Sequence, residues 1–358
     1  MLEGSVYVDD ELPVSAGYVM TLQDDEPFDA RPLSVENLDL FAMQAVLDYR
    51  ERVLEAGALT EEELAWIERL MNVPDYIWIQ GVQISKTITE LHFCSDFTYS
   101  DVDIHPLIRN RQNAFEMSLT NDDIEQLVYL TNLTHLTLHL QQISDISLLA
   151  EFTDLTHLNL SGNQISDLSP LLGLTKLQRL ELNENNISDL TPLSGLTNLH
   201  HLRLSRNQIS DLRPLESLHD LRVLELIDNQ ISDLSPLAEF TNLYELALSR
   251  NYISDLSPLS ELTNLGNLMI FGNQISDISP LAGLTGLWQL LLGFNQISDV
   301  SPLVGLVNLE GLMLTQNQIY DISPFIELHN LSRGLELGGN YIANWAPVAH
   351  IDQVHGRP

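Results

Sequence analysis

The stretch Phe152 to Gly173, FTDLTHLNLSGNQISDLSPLLG, decides the fold, because its pattern recurs along most of the chain. An asparagine returns every 22 residues, at Asn163, Asn185, Asn207, Asn229, Asn251, Asn273, Asn295 and Asn317. Ten units are recognised, which begin at Leu130, Phe152, Leu174, Leu196, Leu218, Phe240, Leu262, Leu284, Leu306 and Leu328. A fixed period of this length predicts a solenoid, in which each coil contacts only its neighbours.

Spacing within one unit predicts where each segment lies. Leu158 and Leu160 alternate with polar residues, as in a short strand with one buried face. Ser169-Pro170-Leu171 is typical of a capped helical turn, with Ser169 as the cap. Parallel strands are wider than such turns, so stacked coils should curve into a horseshoe with a concave sheet and convex 3-10 turns. Ten strands at roughly 4.8 Å spacing give a sheet on the order of 45 Å long.

The remaining sequence divides into flanking segments. Ser34 and the Thr60/Glu63 pair resemble helix N-caps, which predicts a helical hairpin that covers the open edge of the array. The predicted organisation is a flexible acidic tail (1–30), a helical hairpin cap (31–75), degenerate leading repeats (76–129), ten repeats (130–349) and a C-terminal tail (350–358).

Composition argues against several classes of partner and location. The net charge of −34 and the pI near 4.3 argue against nucleic acid and anionic membrane surfaces, which are bound through clustered Lys and Arg. No run is long and apolar enough for membrane insertion, and acids at Asp9, Asp10 and Glu11 interrupt the region where a signal peptide needs an apolar core. A cytoplasmic location and export by a route without a recognisable signal peptide both stay open.

The phrases LTNL at 196–199 and QISDLSPL at 230–237 carry a family resemblance. They closely resemble the 22-residue leucine-rich repeats of bacterial internalins, and the resemblance covers Leu130 to Val348. It implies a leucine-rich-repeat solenoid preceded by a helical cap. It also implies that a protein binds to the concave face.

Two ladders of polar residues have structural and functional interpretations. The repeated asparagines are predicted to satisfy backbone groups at the turns between coils. The second ladder comprises Asp145, Asp167, Asp189, Asp211, Asp233, Asp255, Asp277, Asp299 and Asp321. Stacked carboxylates could bind calcium, or each could accept hydrogen bonds at its own turn. We favour the second interpretation, because no second acid in each coil completes a calcium site.

Residues suited to catalysis or metal binding are sparse. Histidines gather at His135, His139, His157, His200 and His201, which could suggest zinc. However, Arg179 lies on the coil between them, and a nearby cation opposes metal binding. Cys94 is the only cysteine, so no intrachain disulfide can form. We therefore predict no catalytic residue, no metal site and no cofactor.

Charged residues alternate in sign across the strands of the middle units. One row contains Glu181, Arg203 and Glu225, and another contains Glu184, Arg206, Asp228 and Arg250. Cross-strand pairs of this kind usually satisfy each other, with about 0.2–1 kcal/mol for each pair. The concave face should therefore be nearly neutral, although the chain as a whole is strongly acidic.

Farther along the chain, apolar residues occupy positions that the alternation assigns to solvent. They are Ile227, Tyr244, Met269, Phe271, Trp288, Leu291, Phe294 and Met313. Exposed aromatic and methionine clusters usually mark an interface. A second copy of the chain or the tail over 1–30 could also cover them.

These patterns predict a non-enzymatic protein-binding module that uses the concave face. The apolar residues would anchor the partner, and Arg179, Glu181, Arg203, Arg206, Glu225 and Arg250 would set register and specificity. An intracellular regulatory scaffold that binds a cytosolic enzyme is the main alternative. A metal-dependent or Cys94-dependent enzyme is a distant third.

Overall fold

The computed structural model describes residues 76–79, 82–85, 88–94, 114–116, 119, 121–130 and 132–357. The chain divides into two compact units, Met1–Lys86 and Thr87–Pro358. The predicted acidic tail (1–30) and helical hairpin (31–75) lie outside the described residues. Upstream of the repeats, the α-helix found in the described part is the short α1, Asn121–Gln126.

The described part of the first unit is an antiparallel strand pair. Strands β1 (Tyr76–Ile79) and β2 (Val82–Ser85) align with Tyr76 opposite Ser85. Ile79 and Ile84 are buried. Only two residues connect the strands, which favours antiparallel pairing because parallel strands need a long crossover. The sequence pattern placed the start of the leading repeats here, where parallel strands would be expected.

The second unit contains a sheet whose paired strands are all parallel within the described residues. Its strands are β3 (Glu90–Cys94), β4 (Ala114–Glu116), β5 (His135–His139), β6 (His157–Asn159), β7 (Arg179–Glu181), β8 (His201–Arg203), β9 (Val223–Glu225), β10 (Glu245–Ala247), β11 (Asn267–Met269), β12 (Gln289–Leu291), β13 (Gly311–Met313), β14 (Gly334–Glu336) and β15 (Val354–His355). From β5 to β15 the spatial order follows the chain. At the other edge β3 pairs with β5, and β4 lies outside β3. The segment predicted as a C-terminal tail, 350–358, contributes β15.

Short 3-10 segments follow the strands, as the repeated Ser-Pro-Leu motif predicted. They are Leu127–Tyr129, Ser147–Glu151, Ser169–Leu171, Thr191–Leu193, Arg213–Leu215, Ser235–Leu237, Ser257–Leu259, Ser279–Leu281, Ser301–Gly305, Ser323–Glu327 and Ala346–Val348. The core runs between sheet and turns: in one coil Leu224, Leu226, Ile231 and Leu237 are fully buried. This arrangement confirms the predicted solenoid of parallel strands and short turns.

The repeated asparagines form the predicted buried ladder. Asn229 is 7% exposed, and its amide nitrogen donates to the carbonyls of Leu204 at 3.0 Å and Leu226 at 3.2 Å. Its carbonyl accepts from the amide of Ile209 at 3.0 Å. The Asn229 side chain thus joins two coils. It forms hydrogen bonds with backbone amide and carbonyl groups that have no partner within the strands or the 3-10 turns.

Both ends of this ladder depart from the consensus. Gln141 stands in place of asparagine in the first unit, and its carbonyl accepts from the amide of Leu119 at 2.6 Å. Asn340 continues the ladder in the last unit, where it accepts from Ile319 at 3.1 Å. Sequence reasoning missed Asn340 because the last unit contains one additional residue, which moves it off the 22-residue interval.

A left-handed backbone position recurs just before the asparagine ladder. We call it the turn row: Leu140, Gly162, Glu184, Arg206, Asp228, Arg250, Gly272, Phe294, Gln316 and Gly339. Its φ angles are 55° to 57° at the non-glycine residues and 68° to 76° at the glycines. The amide of Gln316 donates to the carbonyl of Gly338 in the next coil at 2.7 Å. Hydrogen bonds between coils therefore stabilise a conformation that costs most L-residues roughly 1–2 kcal/mol.

Gln316→Gly is expected to raise the free energy of unfolding by about 0.5–1 kcal/mol, because glycine adopts positive φ without strain. Gln318→Gly is the matched control. Gln318 is also exposed but has no positive φ, so its replacement should lower stability by about 0.5–1 kcal/mol. Urea denaturation of the two variants measures both changes. A loss of stability in Gln316→Gly would contradict the assigned backbone strain.

Candidate binding face

The face of the sheet that lies opposite the core is here called the sheet face. In β12 the middle residue Leu290 is fully buried, whereas Gln289 and Leu291 are half-buried on the sheet face. In the neighbouring strands β11 and β13 the middle residues, Leu268 and Leu312, are also buried. These strands pair in register with β12, so that Asn267 and Gly311 lie on either side of Gln289. Side chains from successive coils therefore form straight rows across this surface.

The charged rows contain the alternating pairs that the sequence predicted. Arg203 Nε lies 3.0 Å from Glu225 Oε1, and both side chains are more than four-fifths buried. In the turn row, Arg206 lies 2.5 Å from Glu184 and 3.9 Å from Asp228. Arg250 lies 3.5 Å from the same Asp228. Each pair neutralises charge between adjacent coils, although the exposed turn-row pairs contribute little to stability.

One pair differs from the expected cross-strand arrangement. Arg179 Nε donates to Glu181 within the same strand, β7. The other carboxylate oxygen of Glu181 accepts from Asn159 Nδ2 of β6 at 3.0 Å. Glu181 is only 3% exposed, and these two donors balance its charge.

The apolar half of the sheet face centres on Trp288 and Tyr244. The indole nitrogen of Trp288 donates to the hydroxyl of Tyr244 at 3.0 Å. The two residues are two coils apart, and Gly266 of the intervening coil leaves the space between them. A Cβ atom at Gly266 would lie 2.7 Å from Trp288 Nε1 and 2.7 Å from Tyr244 Cε2. The absence of a side chain at this position allows the two rings to meet.

Two arginines lie over the aromatic rings of Trp288 and Phe271 in this half of the sheet face. The guanidinium carbon of Arg333 lies 4.5 Å from the centroid of the Trp288 ring, and Arg333 Nε lies 3.0 Å from Glu310. Arg250 approaches the ring of Phe271 at 5.8 Å. Both aromatic rings thus contact a cation whose charge a carboxylate already balances.

The other predicted anchor residues lie beside these rings. Met269, Leu291 and Met313 are register neighbours on β11, β12 and β13. Phe294 belongs to the turn row and is 58% exposed. Ile227 is set apart, because the coil with the buried Ser249 lies between it and Phe271. We define the apolar cluster as Tyr244, Met269, Phe271, Trp288, Leu291, Phe294 and Met313.

Exposure within the apolar cluster is lower than the alternation predicted. Tyr244 and Phe294 are more than half exposed, whereas the other five residues of the cluster and Ile227 are half-buried. The reason is that neighbouring rows lie close enough for long side chains to cover one another. Sequence reasoning also missed Gly266 and the contact of Arg333 with Trp288. The only signal for the glycine was its departure from larger residues at the corresponding position of adjacent units.

The histidines are arranged in two groups. His135 and His157 stack with ring centroids 4.1 Å apart, and the Nδ1 of each lies 2.9 Å from the hydroxyl of the preceding threonine. Burial of His201, followed by the charge of Arg179, lowers its pKa to about 4, so its ring is neutral at pH 7. Within the described residues, no group of three or more His, Cys, Asp or Glu side chains is placed to hold a metal ion.

The aspartate ladder forms hydrogen bonds at its own turns. Each carboxylate accepts from the amide two residues later, at 2.8 Å from Ser169 to Asp167 and at 3.0 Å from Arg213 to Asp211. Ser169 is the first residue of the 3-10 segment and Leu168 holds the N-cap position, which corrects the sequence prediction of Ser169 as the cap. The carboxylate that accepts from the first amide of the segment is that of Asp167. The local hydrogen bonds agree with the turn interpretation of this ladder.

These hydrogen bonds predict an acid-sensitive contribution to stability. Hydrogen bonds from the side chain and then the amide of Arg213 lower the pKa of Asp211 from 3.8 to about 2. Since the folded pKa is lower, ionised Asp211 stabilises the fold above pH 4, and this contribution is lost as the pH falls towards 2. The urea midpoint should fall over this interval, and Asp211→Asn should flatten that part of the profile. Identical profiles for the two proteins would contradict the assignment.

None of the helices in the described part of the chain is long and apolar enough to cross a membrane.

Comparisons with known proteins agree with this architecture. The family profile for leucine-rich repeats (two copies) matches residues 131–173, 153–195, 175–217, 197–239 and 219–261. No curated protein matches the sequence significantly. Among solved structures, an internalin of Listeria monocytogenes, InlF, is 34% identical, with a TM-score of 0.58 over 67% of this chain and 84% of that one.

Two further structures match. Internalin C2 of Listeria monocytogenes is 37% identical, with a TM-score of 0.50 over 55% of this chain and 83% of that one. A leucine-rich-repeat protein of Leptospira interrogans shares the fold at 21% identity, with a TM-score of 0.57 over 69% of this chain and 71% of that one. The repeat profile and the coverage of the Listeria proteins establish the relationship. The chain therefore belongs to the internalin-like family of leucine-rich-repeat proteins.

Proposed function

We propose that this chain is a non-enzymatic protein-binding module whose partner lies on the concave sheet face. The observation that carries this proposal is the apolar cluster, with Trp288 oriented by Tyr244 across Gly266. Large aromatic side chains that are already oriented lose little entropy on binding, and they are enriched at interface hot spots. Self-association would use the same surface and is one form of this function.

The charged rows support a role in the recognition of a protein partner and not in catalysis. Arg203 and Glu225 are paired and largely buried, and Glu181 is shared between Arg179 and Asn159. Side chains that neutralise one another in fixed positions can orient a partner through complementary charge. They are less suited to proton transfer or nucleophilic attack, which need an unpaired group beside the substrate.

A comparative capture experiment tests the location of the site. The wild-type chain, a Trp288→Ala/Phe271→Ala variant and a Tyr252→Ala/Tyr320→Ala control are immobilised and exposed to a displayed protein library. The control removes two exposed tyrosines that lie outside the apolar cluster. Proteins that bind through the proposed site should be retained by the wild type and the control and lost from the sheet-face variant.

Two results would oppose the proposal. Equal retention by all three chains would place binding elsewhere on the solenoid. Loss with the tyrosine control alone would assign the function to the surface that carries Tyr252 and Tyr320.

A further inference from the structure

A row of uncharged residues crosses the middle of the apolar half of the sheet face. We define the amide row as the register neighbours Asn267, Gln289, Gly311 and Gly334, which are the first residues of β11 to β14. The preceding strand, β10, has Glu245 at the same position. The amide row therefore begins where the charged part of the sheet face ends.

Asn267 has a buried acceptor without a hydrogen bond. Asn267 is 7% exposed, and within the described residues no donor is bonded to its Oδ1. Its Nδ2 donates to Oε1 of Glu245 at 3.2 Å, which fixes the orientation of the amide, because the reversed amide would bring two acceptors together. Buried acceptors without a donor are rare in native proteins, since they lower stability. A ligand that supplies a donor would remove this cost.

The next two members of the amide row leave room for such a ligand. Gln289 is half-buried, and in the described part of the chain its side chain makes no hydrogen bond. It can therefore rotate away from its register neighbour Asn267 without the loss of a bond. A Cβ on Gly311 would lie 3.5 Å from Arg333 Cβ and 3.9 Å from Gln289 Cγ, which are ordinary contact distances. The missing side chain at Gly311 thus leaves a shallow space beside Gln289.

Apolar rows flank the amide row on both sides. On one side, Tyr244 and Trp288 are joined by their hydrogen bond across Gly266. The register neighbours on the other side are Met269, Leu291 and Met313. A polar strip between two apolar rows matches an extended polypeptide, because its main chain is polar and its side chains point alternately to opposite sides.

We propose that the amide row binds the main chain of a short extended segment of the partner protein. Asn267 Oδ1 accepts from a main-chain amide of this segment. Gln289, which can both donate and accept, bonds to the neighbouring peptide group. Apolar side chains of the segment contact the two flanking rows. This inference rests on the proposed function, since the segment belongs to the protein that binds the sheet face.

The dimensions and charge of the site favour such a segment. The apolar cluster extends from β10 to β13, which is roughly 14 Å at about 4.8 Å between neighbouring strands. At about 3.4 Å for each residue, roughly four or five extended residues cover this distance. The amide row is neutral, and its donors and acceptors match the N–H and C=O groups of a main chain. Charged side chains would instead find opposite charges in the middle units.

The test begins with selection of linear peptides by the full chain from a displayed library of random, cysteine-free sequences. Affinities of synthetic copies of the retained peptides are then measured by fluorescence anisotropy. We expect Asn267→Leu to weaken binding roughly tenfold and Gln289→Leu about threefold, because each removes hydrogen bonds and keeps a side chain of similar size. Gln274→Leu is the matched control, since Gln274 is exposed and lies in the turn after the asparagine ladder. Its affinity should equal that of the wild type.

Stability measurements distinguish a binding role of Asn267 from a structural role. Asn267→Leu removes the acceptor that has no donor, so we expect its urea midpoint to equal or exceed that of the wild type. A lower midpoint together with weaker binding would assign Asn267 to the fold and overturn the inference.

A second measurement needs no protein variant. Methylation of single main-chain nitrogens in a retained peptide removes one donor at a time and keeps the side chains. At least one methylated position should weaken binding roughly tenfold. Unchanged affinity for every methylated peptide would exclude recognition of the main chain.

The remaining outcomes separate this inference from the proposed function. If folded proteins depend on Trp288 and Phe271 but no linear peptide is retained, the extended segment is wrong and the proposed function stands. If peptides depend on Asn267 but no protein depends on Trp288 and Phe271, the proposed function fails and the amide row stands.

Two other occupants of the amide row are tested in parallel. A dimer in analytical ultracentrifugation that dissociates in Asn267→Leu would assign the row to a second copy of the chain. Tighter binding of a synthetic peptide with the sequence of residues 1–30 than of any selected peptide would assign it to a segment of this chain. Either result would overturn the assignment to a partner protein.

Discussion

Asn229→Ala is expected to lower the free energy of unfolding by about 3 kcal/mol, because it removes three buried hydrogen bonds and leaves one buried amide without an acceptor. The amide of Ile209 would lose its acceptor. The carbonyls of Leu204 and Leu226 would each lose one of two amide donors, and they would keep those of Asn207 and Asn251. Water cannot replace the amide without entering a site that is 7% exposed. The unsatisfied amide costs about 1–3 kcal/mol and each of the two lost hydrogen bonds to carbonyls costs about 0.5–1.5 kcal/mol, so the sum exceeds the effect of most single substitutions.

Urea denaturation followed by circular dichroism measures this loss. Asn242→Ala provides the matched control, because Asn242 is exposed and its amide makes one hydrogen bond, to the carbonyl of His219 at 3.0 Å. Its replacement should lower stability by less than about 1 kcal/mol. Similar losses of stability in the two variants would show that burial of the asparagine ladder does not determine its contribution to the free energy of unfolding.

The second large effect concerns affinity. Against a purified partner, Trp288→Ala/Phe271→Ala is expected to weaken binding by about 4 kcal/mol, or roughly a thousandfold. Trp288 has its orientation fixed by Tyr244 and Arg333, and Phe271 lies beside Arg250. Truncation removes both the contact area and the preorganisation, so the effect should appear mainly in the dissociation rate.

Stability measurements separate this effect from misfolding. The core positions beside these residues, Leu268, Ile270 and Leu290, are fully buried and unchanged in the variant. The melting transition should therefore remain close to that of the wild type. The Tyr252→Ala/Tyr320→Ala control should retain wild-type affinity. A loss of affinity that merely parallels a loss of stability would remove the support for a hot spot at Trp288.

Local spacing predicted much of the fold. The 22-residue interval identified the buried asparagines, and alternation around Leu158 and Leu160 identified strands with one face in the core. Each of these features depends on residues within one coil and on identical neighbours. A regular array repeats the same local environment, so a local pattern is sufficient to predict it.

The charged rows were predictable for a related reason. Arg206, Asp228 and Arg250 occupy the same position in successive coils, and registered parallel strands must bring them together. The pairing of Arg179 with Glu181 inside one strand was not predictable, because the choice between two nearby carboxylates depends on side-chain conformation. The order of β3 and β4 was also missed, since their sequences lack the regular interval.

The sequence by itself determined the repeat, the direction of its strands and the residues that form the sheet face. Only the tertiary structure decided that Trp288 bonds to Tyr244 across Gly266 and that Arg333 contacts the Trp288 ring. The physical reason is the range of the interactions. Periodic backbone pairing follows from spacing along the chain, whereas contacts among long side chains depend on packing across several coils at once.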